Sequence, residues 1–187
     1  MTTRRAVLPL LLLASAAALL YSLYLQTRVA PGKPGSSNPP RYTLDDVDWV
    51  RYNGSGQPSL RGHASEIDYY RDRSAIGKGL KITVLRHADT AWIATAPNGE
   101  MPAGDQRLRL DGKVQINGRW PDSDQALQID TTRLWIDLHL HELSTDAGVT
   151  LSSVLRNGSA TGLRADWMTR TLDLYADVKM TYDRSTH

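Results

Sequence analysis

Between Arg107 and Ile116 the chain reads RLRLDGKVQI, with Leu108, Leu110, Val114 and Ile116 two residues apart or a multiple of two, and Gly112 among them. Side chains two apart share one face of a β-strand, whereas a helix collects its apolar residues at spacings of three and four. This segment is therefore a strand, oily on one face and charged on the other. The pattern returns as LSTDAGVTL from Leu143 to Leu151 and as LDLYADVKM from Leu172 to Met180. Arg133 to His141 alternates still more plainly: Leu134, Ile136, Leu138 and Leu140 fall on one parity, and Trp135, Asp137, His139 and His141 on the other. Such a chain has to build a sheet with one buried face.

Applied from Arg41 onward, the same reading predicts an all-β domain. Strands are expected at Tyr42 to Tyr52, Ser59 to Tyr69, Leu80 to Leu85, Ala91 to Ala96, Arg107 to Ile116, Gln125 to Thr131, Arg133 to His141, Gly148 to Leu155, Leu163 to Trp167 and Thr171 to Tyr182. Turn-forming residues lie between them: Asn53-Gly54-Ser55-Gly56, Asn98-Gly99, Asn117-Gly118, Asp146-Ala147-Gly148 and Asn157-Gly158. Their short spacing suits a sandwich or barrel better than helix-connected parallel strands. A two-residue turn at Asp111-Gly112 would put Leu110 and Val114 on opposite faces, so the segment is read as one strand bent at Gly112. Glu142 interrupts the parity that resumes at Leu143, as an inserted bulge residue would do. The third copy has no glycine, which allows a straight strand.

The first residues differ in kind. Ala6 to Leu25 is an uncharged, apolar run, and about twenty residues cross a bilayer's hydrocarbon core as a helix. Arg4 and Arg5 precede it, which keeps that end in the cytoplasm and places the rest of the chain on the far side. Ala14-Ser15-Ala16 offers a signal-peptidase-like spacing, but the chain stays apolar beyond it, so residues 1–25 are read as a cytoplasmic tip and a retained anchor. Residues 26–40, QTRVAPGKPGSSNPP, form a Pro/Gly/Ser tether. Residues 41–187 are the folded domain. The formal charge of +2, with both signs interspersed, argues against nucleic acid as a partner. With no cysteine there are no disulfides or thiolate metal sites.

One anchor, one tether and repeated bent strands together resemble the LptC family, the membrane-anchored periplasmic component of the lipopolysaccharide export bridge in Gram-negative bacteria. The stretch YTLDDVDWVRYNGSGQPSLRGHASEIDYYRD, Tyr42 to Asp72, is similar to that family's opening hairpin, with Gly56-x-Pro58 after the turn, Ala64, and Tyr69-Tyr70. Gly162-Leu163 to Tyr182 is similar to its last strands. Gly62 departs from the pattern, since relatives place a larger apolar residue between Leu60 and Ala64.

The resemblance implies an antiparallel β-jelly roll, preceded by one transmembrane helix in the inner membrane. It implies a non-enzymatic role in which lipopolysaccharide passes from the LptB-driven transporter to LptA through a hydrophobic groove. Acyl chains left in water would cost roughly 0.8 kcal/mol per methylene, so a slot between two sheets suits the task. The inward parity then supplies the lining: Val47, Trp49, Leu108, Leu110, Val114, Ile116, Leu134, Ile136, Leu138, Val149, Leu151, Leu172, Leu174, Val178, Met180 and Tyr182. The alternative for each of these is plain core packing. By the same resemblance the N-terminal edge, with Tyr42, Leu44, Val47 and Trp49, would meet LptF or LptG. The C-terminal edge, with Gly162, Val178 and Tyr182, would meet LptA. Gly162 has two readings, close backbone approach or a turn.

Other chemistries find less support in the residues. His139-x-His141 would share a strand face with Asp137, which permits a metal-dependent hydrolase as an alternative function. A structural β-scaffold without lipid contact is another. Asp45-Asp46 and Asp122-x-Asp124 sit beside turn-formers, where aspartate bonds its own backbone. Neither a phosphate-binding Gly-rich loop nor a G-x-S-x-G elbow occurs. No catalytic residue, cofactor or metal is assigned.

Overall fold

The computed structural model describes residues 39–86, 89–123 and 125–182. The proposed anchor and most of the tether lie outside the described residues. Nine strands follow one another: β1 (Tyr42–Tyr52), β2 (Pro58–Tyr69), β3 (Ala75–Arg86), β4 (Asp89–Met101), β5 (Arg107–Arg119), β6 (Ala126–Asp137), β7 (Glu142–Ser152), β8 (Arg156–Asp166) and β9 (Thr171–Tyr182). Each is antiparallel to the one before it, in the spatial order β1 to β9. The backbone ladder is thus one continuous meander folded over on itself, rather than two separately bonded sheets.

The strands, of 11 to 13 residues, outrun several of the expected ones. The cause is mid-strand bending. Gly112 has φ +99° in β5, Gly79 φ +58° in β3 and Gly162 φ +83° in β8, a region open to glycine at no steric cost. The expected bend at Gly112 is present. In β9 Asp177 takes φ +52°, so that strand is bent and not straight; aspartate is among the few other residues that visit this region. Ladder registers slip by one residue at Gly112, Gly162 and Asp177, for example between Asp111 and Val114 of β5, and stay in step across Gly79.

Two other expectations fail for local reasons. Arg133 to His141 is not one strand with a bulge at Glu142. The Asp137 carboxylate accepts the amides of His139 and Leu140 at 2.9 Å each, which ends β6 and makes a turn. Glu142 then pairs with Asp137 as the first residue of β7. Asp72, Asp105 and Asp166 accept following backbone amides at the other three hairpins of the same end. Conversely, Asn98-Gly99, Asn117-Gly118, Asp146-Ala147-Gly148 and Asn157-Gly158 lie within strands. At Gly118 and Gly158 a Cβ would stand 2.1 Å from the Trp92 ring and 2.3 Å from the Met180 sulfur. There the missing side chain makes room for a large neighbour.

Inward residues from all strands but the two edges form the fully buried part of one core cluster. Leu110, Val114, Ile116, Leu134, Ile136, Leu151 and Leu163 have no measurable exposure. β1 pairs with β2 alone and β9 with β8 alone, so the meander has two free edges among the described residues.

Candidate functional site

The residues that alternation selects for the interior divide into three groups. Leu110, Val114, Ile116, Leu134, Ile136, Val149 and Leu151 are buried in the core cluster and line neither of the cavities described below. Trp49, Leu108, Leu138, Leu172, Leu174 and Met180 are partly buried and packed against that core, and Val47 is half-buried on β1. Val178 and Tyr182 are exposed, at 48% and 65%. The even positions of β9 therefore do not share one sheltered face, because β9 is an edge strand that bends at Asp177.

Space for a ligand lies elsewhere. An almost wholly apolar cavity of about 230 Å³ is bounded on one side of the bends by Trp49, Leu60 and Leu80. On the other side it is bounded by Ile67, Met101, Leu108 and Leu138. The two arms of the bent strands thus face each other across it. Ala75, Gly77 and Gly99 contribute wall with little or no side chain, and Arg51 and Gln106 are the polar members of the lining. Of the expected lining residues, the structure brings Trp49, Leu108 and Leu138 together here. Leu60, Ile67, Leu80 and Met101 were missed. Leu60 and Ile67 lie on opposite parities of β2, so a single two-residue rule applied along the strand discards one of them.

Gly62 is explained by the same region. It stands opposite Trp49 in the β1–β2 ladder, and a Cβ at position 62 would lie 2.1 Å from indole atoms Cε2 and Cζ2. The indole supplies the apolar bulk that position 62 lacks.

The free edges differ from one another. On β1, Tyr42 stacks on Tyr69 with centroids 4.9 Å apart, and both Tyr42 and Leu44 are more than two-fifths exposed. On β9, Tyr175, Val178 and Tyr182 are exposed. Gly162 does not belong to that edge: it is buried in β8, between β7 and β9, where a Cβ would lie 2.8 Å from Tyr175 Cδ2. Its positive φ bends β8 in mid-strand, with Tyr175 packed where a side chain would stand, so it lies in no turn.

The charged outer face is internally paired. Arg107 bonds Asp105 at 2.7 Å, and its hydrogen bonds hold the Asp105 carboxyl down to about 2. Arg109 bonds Asp111 at 2.7 Å and also reaches Glu100. His139 and His141 lie in the β6–β7 turn and not side by side on a strand face. The His141 ring meets Trp167 edge-on at 5.7 Å. Among the described residues no cluster of three or more His, Asp or Glu is placed to hold a metal. A second cavity, of about 100 Å³, is more polar, with Arg86, Asp89, Arg119, Asp166 and Arg170 around Trp92 and Trp167.

The family model described as lipopolysaccharide-assembly, LptC-related, matches residues 10–183. Lipopolysaccharide export system protein LptC of Escherichia coli K12 is 26% identical over 150 residues, covering 79% of this chain and 78% of that protein. The Shigella flexneri protein of the same name matches to the same extent. Among solved structures, LptH, the LptA-homologous periplasmic component of the lipopolysaccharide transport device of Pseudomonas aeruginosa, superposes with a TM-score of 0.53. It is 6% identical, over 67% of this chain and 95% of that one, a likeness of fold alone. With the family model spanning nearly its whole length, this chain belongs to the LptC-related family of lipopolysaccharide-assembly proteins.

Proposed function

We propose that this protein carries lipopolysaccharide through the periplasm as a non-enzymatic, inner-membrane-anchored module. It takes the lipid from the LptF and LptG subunits of an LptB-driven transporter and passes it to LptA. The observation that carries this reading is the apolar cavity between the two arms of the bent strands, in a chain of a family defined by lipopolysaccharide assembly. Burying acyl methylenes there offsets roughly 0.8 kcal/mol each that exposure to water would cost. Transfer breaks and forms no covalent bond, so shelter, an entrance and an exit suffice. A single-pass anchor at Ala6 to Leu25 would hold the domain at the inner membrane.

The two free edges suit head-to-tail assembly, since unpaired backbone donors and acceptors on β1 and β9 can each accept a further strand. In this reading β1, with Tyr42 and Leu44, meets LptF or LptG. The β9 edge, with Val178 and Tyr182, meets LptA. Photo-crosslinking in living cells tests both parts. A crosslinker at Leu138 should capture lipopolysaccharide, and one at Val178 a periplasmic β-protein partner. Protein adducts from Val178 together with no lipid adduct from Leu138 would favour a scaffold and defeat the transport reading.

A further inference from the structure

Trp49 occupies an unusual position. Its indole is one wall of the cavity, yet it stands on an edge strand with a single neighbour and lies over a residue without a side chain. Three other walls are formed by Ala75, Gly77 and Gly99, where little side chain intrudes. The tips of Leu80 lie over Gly77 and Gly99, within 3.2 Å and 2.8 Å of where a Cβ would be. Small residues thus open the space, and Leu80 and Trp49 bound it. The volume of about 230 Å³ is modest. A cavity on the order of 150 Å³ takes one benzene, so this one holds the end of a single hydrocarbon chain and not the several chains of a whole lipid anchor.

We propose that Trp49, seated on Gly62, is the specificity-determining wall that sets how much of an acyl chain the cavity accepts. This rests on the lipid-transport reading above and deepens it. Removing the indole would extend the cavity over the bare backbone of Gly62 toward Leu60 and Ala64, its inward neighbours on β2. A leucine at position 62 would return the bulk from the opposite strand. The size limit is then a property of the pair and can be moved from one strand to the other.

The test uses the full chain in nanodiscs, titrated with lauroyl, myristoyl, palmitoyl and stearoyl lysophosphatidic acid, with the Leu138 methyl resonance as the readout. For the wild type, affinity should stop rising at one of the shorter chains. In Trp49→Ala the plateau should move to longer chains, each extra buried methylene adding roughly fourfold in affinity. Trp49→Phe, which keeps a ring and guards against a folding defect in the alanine variant, should move it less. Trp49→Ala with Gly62→Leu should restore the wild-type limit. Binding by every variant with an unchanged plateau overturns the inference and leaves the transport reading standing. No response of the wild type to any of these lipids, or to lipopolysaccharide, overturns both.

Discussion

The middle and C-terminal strands and the N-terminal hairpins share one alternation but put it to different ends. In β5 to β8 most inward positions carry leucine, isoleucine or valine, and Leu110, Ile116, Leu134, Ile136, Leu151 and Leu163 are fully buried and line neither of the two cavities described above. In β2 to β4 the inward face is interrupted by Gly62, Ala64, Gly77 and Gly99, and there the two arms stand apart around the cavity. Where large meets large the fold is sealed. The difference shows that an inward-facing oily residue is evidence for a core, whereas room for a ligand requires small residues beside large ones.

Cutting into each region should therefore give unequal results. Ile136→Ala, inside the sealed part, should lower stability by about 2–5 kcal/mol in chemical denaturation. Leu138→Ala, on the wall of an existing cavity, should cost clearly less, and an equal loss would erase the distinction. The bends offer a second contrast. Gly112→Ala would impose φ +99° on a side chain and bring its Cβ to 2.6 Å from Pro97, so a loss of about 1–3 kcal/mol is expected. Gly148 occupies a related place in its repeat with ordinary φ and open space around it. Gly148→Ala should be neutral or stabilise by up to about 1 kcal/mol.

Filling the cavity sharpens the comparison from the other side. Leu108→Trp should change stability by less than about 1.5 kcal/mol, because the added ring has somewhere to go, yet it should abolish lipopolysaccharide crosslinking from Leu138. The smallest effect belongs to the outer face. Asp105, held at about 2 against an ordinary 3.8, binds its proton more weakly when folded. Its pairing with Arg107 thus favours the fold above pH about 4, and that contribution is lost as pH falls toward 2. Thermal melts of Arg107→Gln and the wild type should differ slightly at neutral pH and converge in acid.

These contrasts also mark what the chain discloses on its own. The outer limits of β1 and β9 are legible from alternation and neighbouring turn residues, as is the bend at Gly112, because only a bent strand keeps Leu110 and Val114 together. The hairpin at Asp137 is not legible, since leucines at 138 and 140 continue the two-residue pattern through a turn that a carboxylate imposes. Asn-Gly pairs mislead in the same way. The glycines at 99, 118 and 158 make room for side chains on an adjacent strand, a requirement that local sequence does not carry. The cavity needed the third dimension: Leu60 and Ile67 change parity within β2, and Met101 joins them from a strand end.

The claim that the cavity between the bent arms, walled by β1 to β4 together with Leu108 and Leu138, and not the sealed interior of β5 to β8, receives lipid is tested most directly by methyl NMR of the full chain with labelled Leu, Ile, Val and Met, titrated with lipopolysaccharide. Shifts should concentrate on Leu60, Ile67, Leu80, Met101, Leu108 and Leu138, while Leu134, Ile136, Leu151 and Leu163 stay fixed. Shifts spread evenly over both sets, or confined to the sealed set, would contradict it.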